Sequence, residues 1–331
     1  VTMPRRSSLL TLIAVAALWG ASFLFIRIGV RDLGPVALIE ARVALAGLAL
    51  LAIVTVLRRR PSWRDRWRYL MLGLLSAAAP FTLIAAAELH LTASLAAILN
   101  ATTPMFSLLL SAWWLREPLT VRKLAGVMVG VLGVAVLVGL GPIDPGPVLW
   151  ASVAASLVAA LLYAAGGIYA ATRFSGVAPI SVATGQQLAA AVLLLPLAAA
   201  LPPAELPGPS VTAAVLALAL ACTALGFVLF YRLVAQLGST GALTVTYLVP
   251  VFGSAWGALF LGERLSIGAG LGLLLVLGGV ALVTRPSAPT PASAPDPAPA
   301  LAPDARSGPG ASRVDHGVSC GVAGVSSPET P

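Results

Sequence analysis

Few side chains in this sequence can do chemistry, and most of them stand inside apolar runs. Arg42 lies in "EARVALAGL" and Gln186 and Gln187 in "ATGQQLAAAVLLL". Asn100, Thr102 and Thr103 immediately precede Pro104, and Thr244, Thr246 and Tyr247 precede Pro250. An arginine near the middle of a membrane helix costs about 2.5–3.5 kcal/mol on insertion scales, so its guanidinium needs water, a carboxylate or a ligand. Arg42 is therefore expected either to meet an anionic or zwitterionic solute or to act as an internal hydrogen-bond tether. Glu40 is not its local partner, because residues two apart point to nearly opposite faces of a helix. Trp19 and Tyr163 are expected to wall the same site or to pack the bundle.

The two prolines are read as helix kinks. Each withholds the N–H that would bond the carbonyl four residues earlier, and those carbonyls belong to Asn100 and Thr246. Either the freed groups help to hold a solute, or threonine hydroxyls and neighbouring helices satisfy them again. Glu117 and Glu263 end their apolar runs and read as anchors of tight turns rather than as proton sites, with Thr120 and Ser266 following as helix caps. Proton coupling would fall to Glu40, Glu88 or His90. Catalysis finds little support. There are two histidines, His90 and His316, and two cysteines, Cys222 and Cys320, the latter read as free thiols. No HExxH, paired cysteines, Ser/His arrangement or nucleotide-binding loop is present, so neither an enzyme, a metal, a cofactor nor ATP-driven pumping is expected.

The elements that must position these residues follow from hydropathy. Of 331 residues, 59% are hydrophobic and 10% charged, against about 45–50% and about 25% in soluble domains. Apolar segments near spanning length cover roughly 8–28, 35–57, 69–87, 92–115, 121–140, 147–171, 178–201, 210–235, 240–262 and 266–284. Lipid offers no partner for open backbone groups, so these are helices. The expected fold is an all-α membrane protein of ten transmembrane helices. With a cytoplasmic N-terminus, Arg5, Arg6, the cluster from Arg58 to Arg68, Arg116, Arg122, Lys123, Arg173, Arg232, Arg285, Arg306 and Arg313 fall inside. Arg27, Arg31 and Arg264 fall outside. That asymmetry predicts both termini in the cytoplasm of a cell whose plasma membrane holds the protein. The cluster "RRRPSWRDRWR", with Trp63 and Trp67, reads as a topology signal touching lipid headgroups, not as a nucleic-acid patch. Residues 286–331 are rich in proline and alanine and are expected to form a disordered cytoplasmic tail.

The chain repeats itself. At a shift of 146, Phe81, Pro104, Glu117, Gly126 and Gly133 fall on Phe227, Pro250, Glu263, Gly272 and Gly279. At a shift of 144, Trp19, Pro35 and Arg42 fall on Tyr163, Pro179 and Gln186. The halves, 1–140 and 141–285, each hold five spans. An odd number makes the second half enter from the opposite side, giving an inverted-topology repeat with a site between the halves. Gly126-xxx-Gly130 and Gly268-xxx-Gly272 suit close helix packing within the chain, or a homodimer.

With "ALWGASF", "EARVALAGL", the paired proline-to-glutamate segments and "GE-x-L" at Gly262–Leu265, the layout over residues 8–284 resembles the EamA-type members of the drug/metabolite transporter superfamily. Arg116 departs from the pattern, standing where the second half has Gly262. The resemblance implies a ten-helix bundle that carries a small organic solute, many such proteins being exporters. A passive facilitator is the competing reading, and a membrane sensor or assembly subunit a more distant one.

Overall fold

The computed structural model describes residues 6–58, 61, 64, 66–139, 146–203, 205–242, 244–264 and 266–284. The tail 286–331, with His316 and Cys320, lies outside the described residues, as does Trp63. Among the described residues all regular structure is helical. The elements are α1 (Arg6–Val56), α2 (Arg66–Ala87), α3 (Ala93–Trp114), α4 (Val121–Gly139), α5 (Pro147–Arg173), α6 (Pro179–Ala200), α7 (Pro209–Gly238), α8 (Val245–Leu261) and α9 (Ile267–Thr284).

Eight of these are long and apolar enough to cross a membrane, and α8 is a shorter apolar helix. The expected spans 8–28 and 35–57 run together as α1. Fifty-one residues would make a straight rod of about 76 Å, far beyond a hydrocarbon core of about 30 Å. The rod is broken at Gly34, with φ 72° and ψ 162°. Only glycine adopts that conformation cheaply, and Pro35, with its fixed φ, starts the next helical turn. Proline also opens α5, α6 and α7, where its missing N–H is one the helix end would leave unpaired anyway.

Apolar packing cannot be driven by water inside a bilayer, so the helices are held by close backbone approach and satisfied hydrogen bonds. The tightest approach is between α4 and α9. A Cβ on Gly126 would come within 2.8 Å of the Gly279 carbonyl, and one on Gly133 within 2.8 Å of the Val276 nitrogen. The small-residue face of α4 is thus spent on α9 of the same chain. The largest buried cluster gathers Val15, Ile26, Leu38, Val43, Phe81 and Leu218, with Trp19, Tyr163 and Phe230 packed against it. A second cluster joins α3, α4, α5 and α9 around Leu99, Met105, Leu137, Val153 and Val276. Leu48, Trp67, Trp113, Trp150, Leu259 and Phe260 are exposed, an apolar outer surface that a soluble protein would not carry so widely.

Two helices depart from α geometry in a way no composition signals. α2 contains a π-helical stretch, Leu74–Ala78, and α7 contains another, Ala217–Leu225. They occupy the same place when the halves are aligned at a shift of 146. π turns displace the carbonyl ladder and free acceptors for side chains, and they recur at functional sites.

Candidate functional site

Both π segments serve as docking points for the polar residues of the opposite half. Arg42, on α1, is only 5% exposed. Its Nε donates to Thr223 Oγ1 at 3.0 Å, and Thr223 in turn donates to the Leu218 carbonyl, five residues back, at 2.8 Å. Gln186, on α6, donates through Nε2 to the Ser76 carbonyl at 3.3 Å. Arg42 on the α7 π turn and Gln186 on the α2 π turn are thus matching contacts of the two halves.

The aromatic frame repeats in the same way. The Arg42 guanidinium carbon stands 3.6 Å from the centre of the Phe81 ring, a cation–π contact strengthened by the burial of the side chain. Tyr163 meets Phe81 edge-on with centroids 5.9 Å apart, and Trp19 meets Phe227 edge-on at 6.2 Å. Trp19 also lies 5.0 Å from Phe230. Among the described residues, the two terminal guanidinium nitrogens of Arg42 donate to no protein group, and no carboxylate forms an ion pair with it. A buried arginine held at Nε and over a ring, with its fork unengaged, has the chemistry to grip a carboxylate in two-point fashion. Gln187, fully buried beside Gln186, has both amide atoms without a hydrogen-bond partner.

The proline segments are built differently from a pair of kinks. α3 is interrupted at Ala101 and Thr102, and Pro104 sits in the first turn of the segment Thr103–Trp114. The carbonyls exposed by the break are taken by hydroxyls: Thr103 Oγ1 donates to Asn100 and Thr102 Oγ1 to Leu99, each at 2.7 Å. Pro250 lies within α8, which runs on through it. Thr244 Oγ1 donates to the Gly241 carbonyl at 2.7 Å just before α8. The Asn100 side-chain oxygen is buried without a partner. Thr246 is half-buried in the first turn of α8. The Tyr247 hydroxyl reaches α9, meeting the Val280 carbonyl and the Thr284 hydroxyl. Arg42, Gln186, Trp19 and Tyr163 therefore gather around the π segments, while Asn100 and Thr103 make no hydrogen bond to that group.

Glu263 occupies the turn after α8 and caps α3. Its Oε1 accepts the Ala93 N–H at 2.7 Å, and its Oε2 accepts the Ser94 N–H at 3.0 Å and the Ser94 hydroxyl at 2.5 Å. Thr92 Oγ1 accepts the Leu95 N–H at 3.2 Å. The first three amides of α3, which no intrahelical carbonyl can reach, are all satisfied by side chains, and a carboxylate sits where the helix dipole favours it. Gly257 makes the room, since a Cβ there would overlap the Glu263 carboxylate. Glu117, in the equivalent turn after α3, is exposed. Nearby, Glu88 is fully buried with both carboxyl oxygens lacking a hydrogen-bond partner, while Arg27 donates to its main-chain carbonyl.

Thr223, Ser76 and Phe81 were not singled out as site residues by sequence. Phe81 carried a signal in its repeat match with Phe227. The other two depend on the π turns, and those have no residue signature here.

A bundle of apolar helices, eight of them long and apolar enough to cross a membrane, around a buried and half-engaged arginine defines a multi-pass membrane protein. The EamA-like transporter family matches the chain twice, over residues 6–139 and 149–285, and the chain belongs to that family. It is 31% identical over 277 residues to a probable terminal-alkyne amino-acid exporter of Streptantibioticus cattleyicolor, covering 83% of this chain and 92% of the relative. It is 27% identical to an uncharacterized transporter of Archaeoglobus fulgidus, covering 81% and 95%. It is 28% identical to the uncharacterized inner membrane transporter YedA of Escherichia coli, covering 82% and 89%. A solved crystal structure of a protein superposes with a TM-score of 0.61 at 21% identity, covering 85% of this chain and 97% of that one, a likeness of fold alone. The protein is thus a multi-pass membrane transporter.

Proposed function

We propose that the protein exports a small zwitterionic or anionic metabolite of the amino-acid class across the plasma membrane by alternating access, with the solute's carboxylate held by Arg42. The observation that carries this reading is the state of Arg42: buried, fixed at Nε and over Phe81, with a terminal fork that no group among the described residues fills. Gln186, Trp19 and Tyr163 complete the site from the matching positions, and Asn100, Thr103, Thr246 and Tyr247 line the approach along the proline segments of α3 and α8. The name of the Streptantibioticus relative supports the solute class and the direction.

The bundle is read as ten crossings in two inverted halves. Splitting α1 at Gly34 and counting α8 as a crossing gives that number, and the twofold family match and the paired π turns support it. Both termini then face the cytoplasm, Glu263 lies at the outer end and Glu117 at the inner end. The engaged Glu263 and exposed Glu117 describe a conformation closed outside. The exposed apolar faces meet lipid. A passive facilitator would use the same site without coupling.

The test is a thermal-shift screen of the purified protein against neutral L-α-amino acids, repeated with Arg42→Ala. Loss of a charged hydrogen-bond pair is worth about 1.5–3 kcal/mol, so binding should weaken about ten- to a hundredfold in a variant that still folds. An unchanged shift in Arg42→Ala for every amino acid that binds would overturn the site.

A further inference from the structure

Glu88, one of the three residues to which proton coupling would fall, has no part in the proposed solute site, and its surroundings are unusual. It ends α2 in the turn leading to α3, its side chain has 0% exposure, and neither carboxyl oxygen is hydrogen-bonded. An ionised carboxylate in that condition would bear the full cost of desolvation without compensation. The charged neighbours relieve it only in part. Arg27, on α1, spends its guanidinium on the Glu88 main-chain carbonyl rather than the carboxyl. Arg31 lies beside Arg27. Arg42, also on α1, acts on Glu88 through space and Glu263 opposes it with like charge. His90, two residues along the same turn, is exposed.

We propose that Glu88 is a proton-binding site linked to the Glu263 latch: it carries a proton while Glu263 caps α3, and releases it to water on that side when the cap opens. The step breaks the carboxyl O–H heterolytically. The proton passes to an entering water and the electron pair stays on the carboxylate, which is then hydrated. Closure reverses it. The solute equilibrium between the two conformations is thereby tied to the proton concentration at the Glu263 end. The inference rests on reading that end as a gate, and it does not depend on which solute is carried.

Burial drives the Glu88 carboxyl well above the ordinary glutamate range, with Glu263 adding to the effect and Arg27 and Arg42 opposing it. The sign follows. The preference for the closed form is complete below the ordinary range, and it is lost as pH rises from there through the raised value.

Two measurements on the full chain test this without any solute. The first is infrared titration of the protonated-carboxyl C=O band. It should persist at neutral pH, disappear in alkali, and be absent from Glu88→Gln. The second is labelling of Ser254→Cys from the Glu263 side by a membrane-impermeant maleimide, in a Cys222→Ala, Cys320→Ala background. Ser254 is buried on α8. Labelling should rise over the pH range in which the band is lost, and stay low at every pH when Glu88→Gln is added. A band unchanged by Glu88→Gln overturns the proton site. A titrating band with pH-independent labelling overturns the link to the latch. Should Glu88→Gln fail to fold, Glu263→Gln must move the loss of the band to lower pH, and an unmoved band overturns the proposal.

Discussion

Glu117 and Glu263 close the same kind of turn and do different things with it. In both, the glutamate N–H bonds the carbonyl six residues earlier: Glu117 to Ser111 at 3.4 Å and Glu263 to Gly257 at 3.2 Å. In both, the preceding residue is left-handed, Arg116 with φ 56° and Gly262 with φ 65°. The backbones agree, yet Glu263 caps a helix of the other half while Glu117 is exposed. The sequences differ beneath the carboxylate: Gly257, whose missing Cβ leaves room for the Glu263 carboxylate, stands where the first half has Ser111. On the alternating-access reading proposed above, one glutamate engaged and its counterpart exposed correspond to one of two states of the bundle.

The comparison can be broken in order of expected effect. Glu263→Ala should destabilise the purified protein by about 2 kcal/mol, as loss of a helix cap with several charge-assisted bonds does. Thermal melts will show it. Gly262→Ala should cost about 1 kcal/mol, because a Cβ is disfavoured in the left-handed region. Arg116→Gly should give a gain of similar size at the other end. Glu117→Ala should leave the melt unchanged. Equal losses from Glu117→Ala and Glu263→Ala would show that the ends are not in different states.

How much of this was legible in the sequence depends on what each residue needs. Arg42 stood out because a guanidinium in an apolar run is costly wherever it points. Its repeat partner Gln186 and the Trp19–Tyr163 correspondence were legible as spacing. The apolar runs marked the helices, but not that a single helical element would run through Gly34 and turn there, since a glycine within such a run need not be left-handed. The π turns at Leu74–Ala78 and Ala217–Leu225 were invisible, and with them Thr223 and Ser76 as partners. Such turns are rare insertions within α-helices, and the two segments share no residue pattern that would announce them. Glu117 and Glu263 looked alike because their flanking motifs match. What separates them is a contact across the halves, between residues 170 apart in the case of Ala93 and Glu263. Pro104 reads as an interior proline until Thr102 and Thr103 are seen to take the carbonyls behind it, letting a new helical segment begin there.

The most direct test of alternating closure is a pair of distance distributions by electron–electron double resonance. One spin pair sits at His90 and Arg264, the other at Thr120 and Gln236, all exposed positions. Glu263→Gln should lengthen the His90–Arg264 distance and shorten the Thr120–Gln236 distance in the same population. Distances that stay fixed, or that lengthen together at both ends, would contradict the account.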